Sequence, residues 1–240
     1  MVPVFEPGRE RLLCAGAILA VWSGCEPHRL VEEDPKHAAR TQKSSAKALS
    51  GPWGVQTAED LQATVQQLLD GGQHLQADPF FRSLRDAALS DPSGKASFKV
   101  FNDPSRRAAA VRGGGDDDLH LTYREIMKKL RRPDGTKWSY PDVYTLVTTT
   151  RAWDLERAAW VGRMGFMAGL VSEEETFSIL RSTREQIEQT YPSWRDYGIA
   201  FVTGRAFCFD DVKSFLVVAD LADELSSPSS LFSRYPIGSG

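Results

Sequence analysis

Two acidic residues and three arginines lie close together in the segment "RAWDLERAAWVGRMGFMAGL", residues 151–170. A second segment, "SWRDYGIAFVTGRAFCF", places Arg205 in a stripe of otherwise apolar residues at helical spacing. A guanidinium in such a position needs a carboxylate partner, preferably with two parallel hydrogen bonds. We therefore predict that Asp154 pairs with Arg205, with Arg157 or Arg151 nearby.

This charged couple has two possible uses. It could form a ligand-binding site, flanked by Trp153 and Trp194, that serves a cryptic enzyme or a small-ligand-binding protein. It could instead be a structural contact between helices, which is the favoured interpretation. Asp154 and Glu156 do not suggest paired carboxylate catalysis, because residues two apart on a helix point about 200° away from each other.

Other catalytic chemistry has little support in the sequence. The histidines are far apart and form no HExxH motif, so a metal site is not predicted. The chain also lacks a GxSxG elbow and a GxxxxGK[ST] loop. We predict no metal, no cofactor and a role that is more consistent with a non-enzyme. The residues considered are His28, His37, His74, His120 and Cys208, the last interpreted as inert core.

The composition is that of a soluble globular protein. The formal charge is −3 and the pI is about 5.9, which argues against the basic face of a nucleic-acid-binding protein. The short basic run at 128–132 is typical of a solvated helix end. The three cysteines form no CxxC pair, which favours free thiols in a reducing compartment.

The N-terminal segment "RLLCAGAILAVWSGC", 11–25, is apolar but too short to cross a bilayer. We predict that it forms a buried first helix of a cytoplasmic protein without a membrane span. The alternative is a secretion signal that ends at a lipidated Cys25, which would make the protein a periplasmic lipoprotein. Trp22 and the acidic residues of the leader argue against that alternative.

Helical signals dominate the rest of the chain. Thr57 is a plausible cap for a helix that buries one apolar face and ends at Gly71-Gly72. Thr122 with Glu125 and Ser172 with Glu175 have the spacing of capping boxes. Asp78 and Pro79 suggest another helix start. The expected helices include 12–23, 142–170, 193–208 and 211–225.

Residues 91–118 are the exception, since "ASFKVF" could be a strand and "GGGDDD" is typical of a flexible acidic loop. The predicted fold is mainly α, one compact multi-helix domain over 1–240, with a short β-hairpin or irregular insertion around 95–118. Its parts are expected to be an N-terminal helical part (1–50), a helical pair (51–90), an insertion or loop (91–118), a helical core (119–225) and a tail (226–240).

Small residues recur along one side of the helix predicted at 151–170. Each glycine there costs up to about 1 kcal/mol of helix propensity relative to alanine. A ridge without side chains lets a second helix approach closely, and the added contact can offset that cost. We predict a tight helix crossing along Ala158, Gly162, Gly165 and Gly169, with the 193–208 helix as partner.

Three stretches resemble the bacterial family called domain of unknown function 1266 (DUF1266). They are "GPWGVQTAEDLQATVQQLLDGGQ", "RAWDLERAAWVGRMGFMAGLVSEEE" and "YPSWRDYGIAFVTGRAF", and they occur in the family's order. "LLCAGAILAVWSG" also resembles the family's opening helix, whereas 91–118 has no counterpart. The resemblance implies no established reaction. It points to Trp53, Trp153, Asp154, Arg157, Trp194, Gly204 and Arg205.

The resemblance also implies a genomic context, since genes of family members often lie beside genes for secreted toxins or contact-dependent competition. The function expected from it is protein binding, as an immunity or accessory protein of such a toxin. A helical domain can cover a basic site of its partner with acidic side chains, which accelerate association. The expected partner-binding acidic residues are Glu173, Glu174, Asp116, Asp117 and Asp118.

Overall fold

The computed structural model describes residues 7–30, 35–103, 105, 145, 147–208 and 227–238. Throughout these ranges the regular structure is α-helical, which confirms the predicted mainly α class. The helices are α1 Pro7–Leu12, α2 Ala17–Trp22, α3 Pro35–Ser50, α4 Ala58–Gly71, α5 His74–Ser90, α6 Lys95–Phe101, α7 Ala152–Ala168, α8 Glu173–Thr190, α9 Trp194–Cys208 and α10 Leu231–Arg234. The predicted capping box at Thr122 and the helix at 211–225 lie outside the described residues.

The chain divides into two compact units, each built from separate stretches of sequence. The first unit comprises Met1–Gly72, Asp154–Pro192 and Ser227–Gly240. The second comprises Gln73–Trp153 and Ser193–Ser226. Helix α7 therefore begins in the second unit and continues in the first from Asp154 onward.

Two helices of the first unit start at residues that the sequence indicated, Thr57 as a cap and Ser172 in a capping box, and both starts are capping boxes. The Thr57 hydroxyl accepts from the Asp60 backbone N–H, and Asp60 accepts in return from the Thr57 backbone. Ser172 and Glu175 make the same reciprocal pair at the start of α8. The apolar face of α4 is buried as predicted, by Leu61, Val65, Leu68 and Leu69.

The N-terminal segment differs from the single helix predicted over 12–23, because the chain forms two short helices, α1 and α2. Between them Gly16 adopts φ 77°, a left-handed conformation that glycine accepts readily. The carboxylate of Glu156, on α7, accepts hydrogen bonds from the backbone N–H groups of Gly16 (3.2 Å) and Leu19 (2.9 Å). Glu156 thus satisfies backbone donors at the start of α2 that have no partner within the helix.

Arg163 holds the same segment from a position two turns further along α7. Its Nη2 donates to the backbone carbonyls of Leu13 and Pro27, both at 2.7 Å. The side chain is fully buried, and burial lowers its pKa to about 10, so it remains a cation at neutral pH. The charge of Glu156 opposes that lowering. These two residues fasten the N-terminal segment to α7.

Deleting residues 1–24 is expected to abolish cooperative folding. The deletion removes a set of buried apolar side chains, each worth about 1.5–3 kcal/mol, against a total stability of about 5–15 kcal/mol. It also leaves Glu156 without both of its backbone partners and Arg163 without one of its two, the carbonyl of Leu13. Thermal unfolding followed by circular dichroism measures the effect, and a sharp transition at the full-length temperature would contradict it. The lost core residues are Leu12, Leu13, Cys14, Ala15, Ala17, Ile18, Leu19 and Ala20.

The small residues of α7 do allow close approach, but their neighbours differ from the α9 helix that the sequence suggested. A Cβ on Gly162 would lie 3.0 Å from Cγ2 of Ile179 on α8. On Gly165 a Cβ would overlap the side chain of Leu61 on α4. Gly169 is not part of the ridge, since its φ of 79° ends the helix. The ridge therefore receives side chains of α4 and α8.

In the second unit the expected strand at "ASFKVF" is wrong, because Lys95–Phe101 is the helix α6. The alternation of apolar and polar residues in this segment favours a strand, but packing decides such short segments. The segment packs against α5, where the ring centres of Phe80 and Phe101 lie 6.1 Å apart. The rest of the predicted 95–118 insertion lies outside the described residues apart from 102, 103 and 105.

Helix α5 begins at His74 rather than at the predicted Pro79, which lies inside the helix. Asp78 therefore does not cap α5. Its carboxylate instead accepts from the Thr149 hydroxyl (2.6 Å) and from the Thr150 backbone and hydroxyl (both 2.8 Å). These bonds hold the chain non-helical at Thr150. The helix predicted over 142–170 is therefore interrupted, since Thr145 is helical, residues 147–151 are not, and α7 starts at Ala152.

Candidate functional site

The aspartate singled out from the sequence lies at the start of α7 and is completely buried. The Asp154 carboxylate forms an ion pair with Arg157, three residues along the same helix. The Arg157 guanidinium lies over the ring of Trp53, 5.9 Å from its centre. A Cβ on Gly72 would overlap the Asp154 carboxylate, so the end of α4 needs glycine there. The sequence indicated Arg157 or Arg151 near Asp154, but not the contacts with Trp53 and Gly72.

The arginine expected to pair with Asp154 belongs to the second unit. Arg205 is buried, and its guanidinium carbon lies 5.5 Å from the ring centre of Trp153. The Trp153 ring also packs against the ring of Phe201, with the two ring centres 5.4 Å apart. Trp153 is therefore part of the core. Since Asp154 and Arg205 fall in different units, their pairing stays a prediction. Within the first unit, Arg157 forms an ion pair with Asp154.

Trp194, the remaining aromatic residue of the predicted cluster, is the first residue of α9. Its ring packs edge-on against Tyr197 with the ring centres 5.5 Å apart. Both side chains are buried. Edge-to-face aromatic pairs of this kind contribute about 0.5–1.5 kcal/mol beyond their buried area. This contact fixes the first turn of α9.

Gly204 lets α9 closely approach Thr150 and the first turn of α7 within the second unit. A Cβ at this position would lie 2.7 Å from Cβ of Trp153 and 2.9 Å from the backbone oxygen of Thr150. Neither atom is the end of a flexible side chain. The glycine that precedes Arg205 is therefore required by packing.

Replacing Gly204 with alanine is expected to lower the free energy of unfolding by about 1–3 kcal/mol, despite alanine's better helix propensity. Urea unfolding measures the change. Gly8→Ala is the matched control, because a Cβ on Gly8 meets nothing within 4 Å. Equal stability of the two variants would show that α9 can move away from Trp153 without cost.

Glu156 and Arg163 are the buried charges that sequence reasoning did not identify as a pair. They are seven residues apart, which places them on the same side of a helix two turns from each other. That spacing was a readable signal. The sequence suggested Glu156 only as a disfavoured catalytic partner of Asp154. In the structure its carboxylate accepts hydrogen bonds from two backbone N–H groups.

Cys14 lies beside this pair and is a free thiol. Burial raises its pKa to about 11, so it is protonated at neutral pH. Its sulfur lies 3.6 Å from the carbonyl oxygen of Leu231. A buried thiol of this kind behaves as a small core residue.

The predicted acidic surface is described only in part. Glu173 and Glu174, in the first turn of α8, are both ion-paired with Arg9 of α1. The side chain of Glu174 is nevertheless 74% exposed. Asp116, Asp117 and Asp118 lie outside the described residues.

The described residues contain no group of three or more His, Cys, Asp or Glu side chains placed to hold a metal ion. Among the helices of the described ranges, none has the length and hydropathy needed to cross a membrane.

Comparison with known proteins places the chain in a family. The family described as "Protein of unknown function (DUF1266)" matches residues 48–232, which include all the motifs discussed from Trp53 to Arg205. A protein of Escherichia coli (strain K12), "Uncharacterized protein YbeU", is 22% identical over 184 residues. That alignment covers 77% of this chain and 64% of the relative, so the chain spans slightly less than two thirds of the relative's length. No solved structure matches the chain. With most of its length matched in this way, the chain belongs to the DUF1266 family.

Proposed function

We propose that this chain is a protein-binding module that acts through its surface, as an immunity or accessory protein toward a secreted or contact-dependent toxin. The observation that supports this is the burial of the cluster on which the alternative depends. Asp154 is 0% exposed, and Trp153, Trp194 and Arg205 are buried as well. A substrate must reach the groups that act on it, so these residues favour a structural role.

The surface proposed for the partner is the start of α8. Glu173 and Glu174 project from the first turn of that helix, whereas the adjacent Glu175 is used in the capping box. Exposed carboxylates of this kind complement a basic partner and accelerate encounter with it. The ion pairs with Arg9 of α1 hold the Glu173 and Glu174 side chains in place.

The alternative function is an enzyme or a small-ligand-binding protein that uses Asp154, Arg157 and Arg205. It would require the cluster to open. Its best support is that the Arg157 side chain retains 14% exposure, so the ion pair with Asp154 lies near the surface. A variant that loses ligand binding at unchanged stability would favour this alternative.

The test is capture of the neighbouring gene's product by the immobilised protein, combined with rescue of cells that express this product. Glu173→Lys/Glu174→Lys is expected to weaken capture at least tenfold, since charge reversal opposes a basic partner. Glu59→Lys is the matched control, because Glu59 is an exposed acid in the first turn of another helix. Arg9→Gln removes the internal ion pairs but keeps both carboxylates, so it separates loss of these pairs from loss of partner contact.

Three results have distinct meanings. Wild-type protein that neither captures nor protects contradicts the immunity role. Capture that survives the double reversal shows that the partner binds elsewhere than α8. Capture lost equally in Glu59→Lys indicates a general charge effect rather than this surface.

We also propose that the protein works in the cytoplasm with its N-terminal segment retained. The residues that processing at Cys25 would remove include core side chains, both backbone partners of Glu156 and one of the two backbone partners of Arg163. Fractionation of cells that express an epitope-tagged chain tests this proposal, and recovery from the periplasmic membrane fraction would refute it.

A further inference from the structure

A groove of about 470 Å³ lies between α1 and α8 in the first unit, away from the Asp154 cluster. This volume lies within the range of small-ligand sites, about 300–1,000 Å³. Arginines outnumber glutamates in its lining by two to one, which leaves an excess of positive charge. The charged residues are Arg9, Arg11, Arg181, Arg184, Glu185 and Glu188.

The floor of the groove is fixed by internal hydrogen bonds. Arg184 is 2% exposed, and its Nε donates to Glu188 at 2.6 Å. Its other nitrogens donate to the backbone oxygens of Arg11 (3.4 Å), Tyr235 (3.3 Å) and Pro236 (3.2 Å). Arg184 is therefore fully engaged and provides a rigid cationic base.

Glu188 lies between two guanidiniums. It accepts from Arg184 and, at 3.1 Å, from Nη2 of Arg11. Burial acts to raise the pKa of Glu188, but the hydrogen bonds and charges of Arg184 and Arg11 lower it below its ordinary value. The carboxylate stays ionised and orients the Arg11 side chain, which is 37% exposed, along the groove.

The rim is formed by Arg181 and Glu185, one turn apart on α8 and both exposed. Within the described ranges neither takes part in an ion pair, although i,i+4 residues of opposite charge often do. Arg9 uses both of its terminal nitrogens on Glu173 and Glu174, whereas Arg11 pairs with Glu188 through Nη2 alone. Arg11 and Arg181 are thus the cations that face an incoming ligand.

We propose that this groove binds a small organic oxyanion, a carboxylate or a phosphate monoester, through Arg11 and Arg181. Planar guanidinium groups donate paired hydrogen bonds to both kinds of oxyanion. Glu185 at the rim accepts a hydrogen bond from a hydroxyl or amine of the ligand, and it disfavours ligands of high negative charge. This site goes beyond the proposed partner binding and does not depend on it.

Titration followed by amide NMR shifts tests the site at low ionic strength. The probes are inorganic phosphate, succinate and butane-1,4-diol, with sodium chloride at matched ionic strength as the reference. We expect saturable shifts at residues 8–12 and 181–188 with at least one anion and none with the diol. The anion that saturates at lower concentration identifies phosphate or carboxylate as the preferred chemistry.

Arg181→Gln is expected to weaken this binding at least tenfold, as loss of a charged hydrogen-bond donor does. Because Arg181 is exposed, the variant should fold normally, which its thermal unfolding checks. Arg82→Gln removes an exposed arginine from α5 in the other unit and should leave binding unchanged. The proposal is overturned if neither anion gives saturable shifts, or if Arg181→Gln binds as tightly as wild type.

Discussion

Replacing Arg163 with methionine is expected to lower the free energy of unfolding by about 3–5 kcal/mol, the loss typical when one member of a buried charged network is removed. Methionine approximates the arginine's length but donates no hydrogen bond. The carbonyls of Leu13 and Pro27 then lose their donor inside the core. Glu156 loses the nearby cation that balances its charge.

Urea unfolding followed by circular dichroism measures this loss. Arg82→Met is the matched control, since Arg82 is exposed on α5 and its replacement should change stability by less than about 0.5 kcal/mol. A methionine variant as stable as wild type would mean that hydrophobic packing compensates for the lost bonds, as it does in some proteins. The fastening role of Arg163 would then be wrong.

Replacing Asp154 with alanine is expected to lower the free energy of unfolding by about 3 kcal/mol, the lower end of the range for a buried ion pair. Asp154 is fully buried, but its partner Arg157 keeps some solvent exposure, so the stranded guanidinium can be partly hydrated. The substitution also leaves a gap beside Gly72, whose Cα lies against the carboxylate.

A double-mutant cycle with Arg157→Met separates the ion pair from the gap. If the pair acts as a unit, the double variant should lose less stability than the sum of the single variants, by about 0.5–3 kcal/mol. Additive losses would show that Asp154 and Arg157 stabilise the fold independently. Unchanged or increased stability in Asp154→Ala would favour a functional site, because residues kept for function often reduce stability.

Helix starts and buried helix faces were predictable from the sequence because they depend on residues that are close together along the chain. A capping box depends on residues three apart, so Thr57 and Ser172 identified the starts of α4 and α8 correctly. Apolar periodicity likewise identified the buried face of α4. The fold class followed from such local signals together.

Features set by distant residues were not predictable in the same way. The break at Gly16 is stabilised by Glu156, which is 140 residues away. The interruption before α7 depends on Asp78, whose carboxylate accepts hydrogen bonds from Thr149 and Thr150. Helical periodicity does not reveal such bonds. It therefore predicted uninterrupted helices over 12–23 and 142–170.

The candidate cluster was predictable by residue type. A buried carboxylate needs a cation, and the sequence offered several arginines at compatible positions. Arg157, three residues from Asp154, was named as a neighbour and forms an ion pair with it, while the pairing of Asp154 with Arg205 stays a prediction. The groove could not be predicted, because Arg11 and Arg181 are brought together only by the packing of α1 on α8.

The central claim is that the buried charges of α7 hold the fold and are not available for chemistry. Hydrogen exchange at the Gly16 and Leu19 amides tests it most directly, because both donate to Glu156. We predict slow exchange in the wild type and selectively faster exchange in Glu156→Gln, whose amide group cannot accept both bonds. Fast exchange in the wild type, or protection unaffected by the substitution, would contradict the claim and leave Glu156 available for another role.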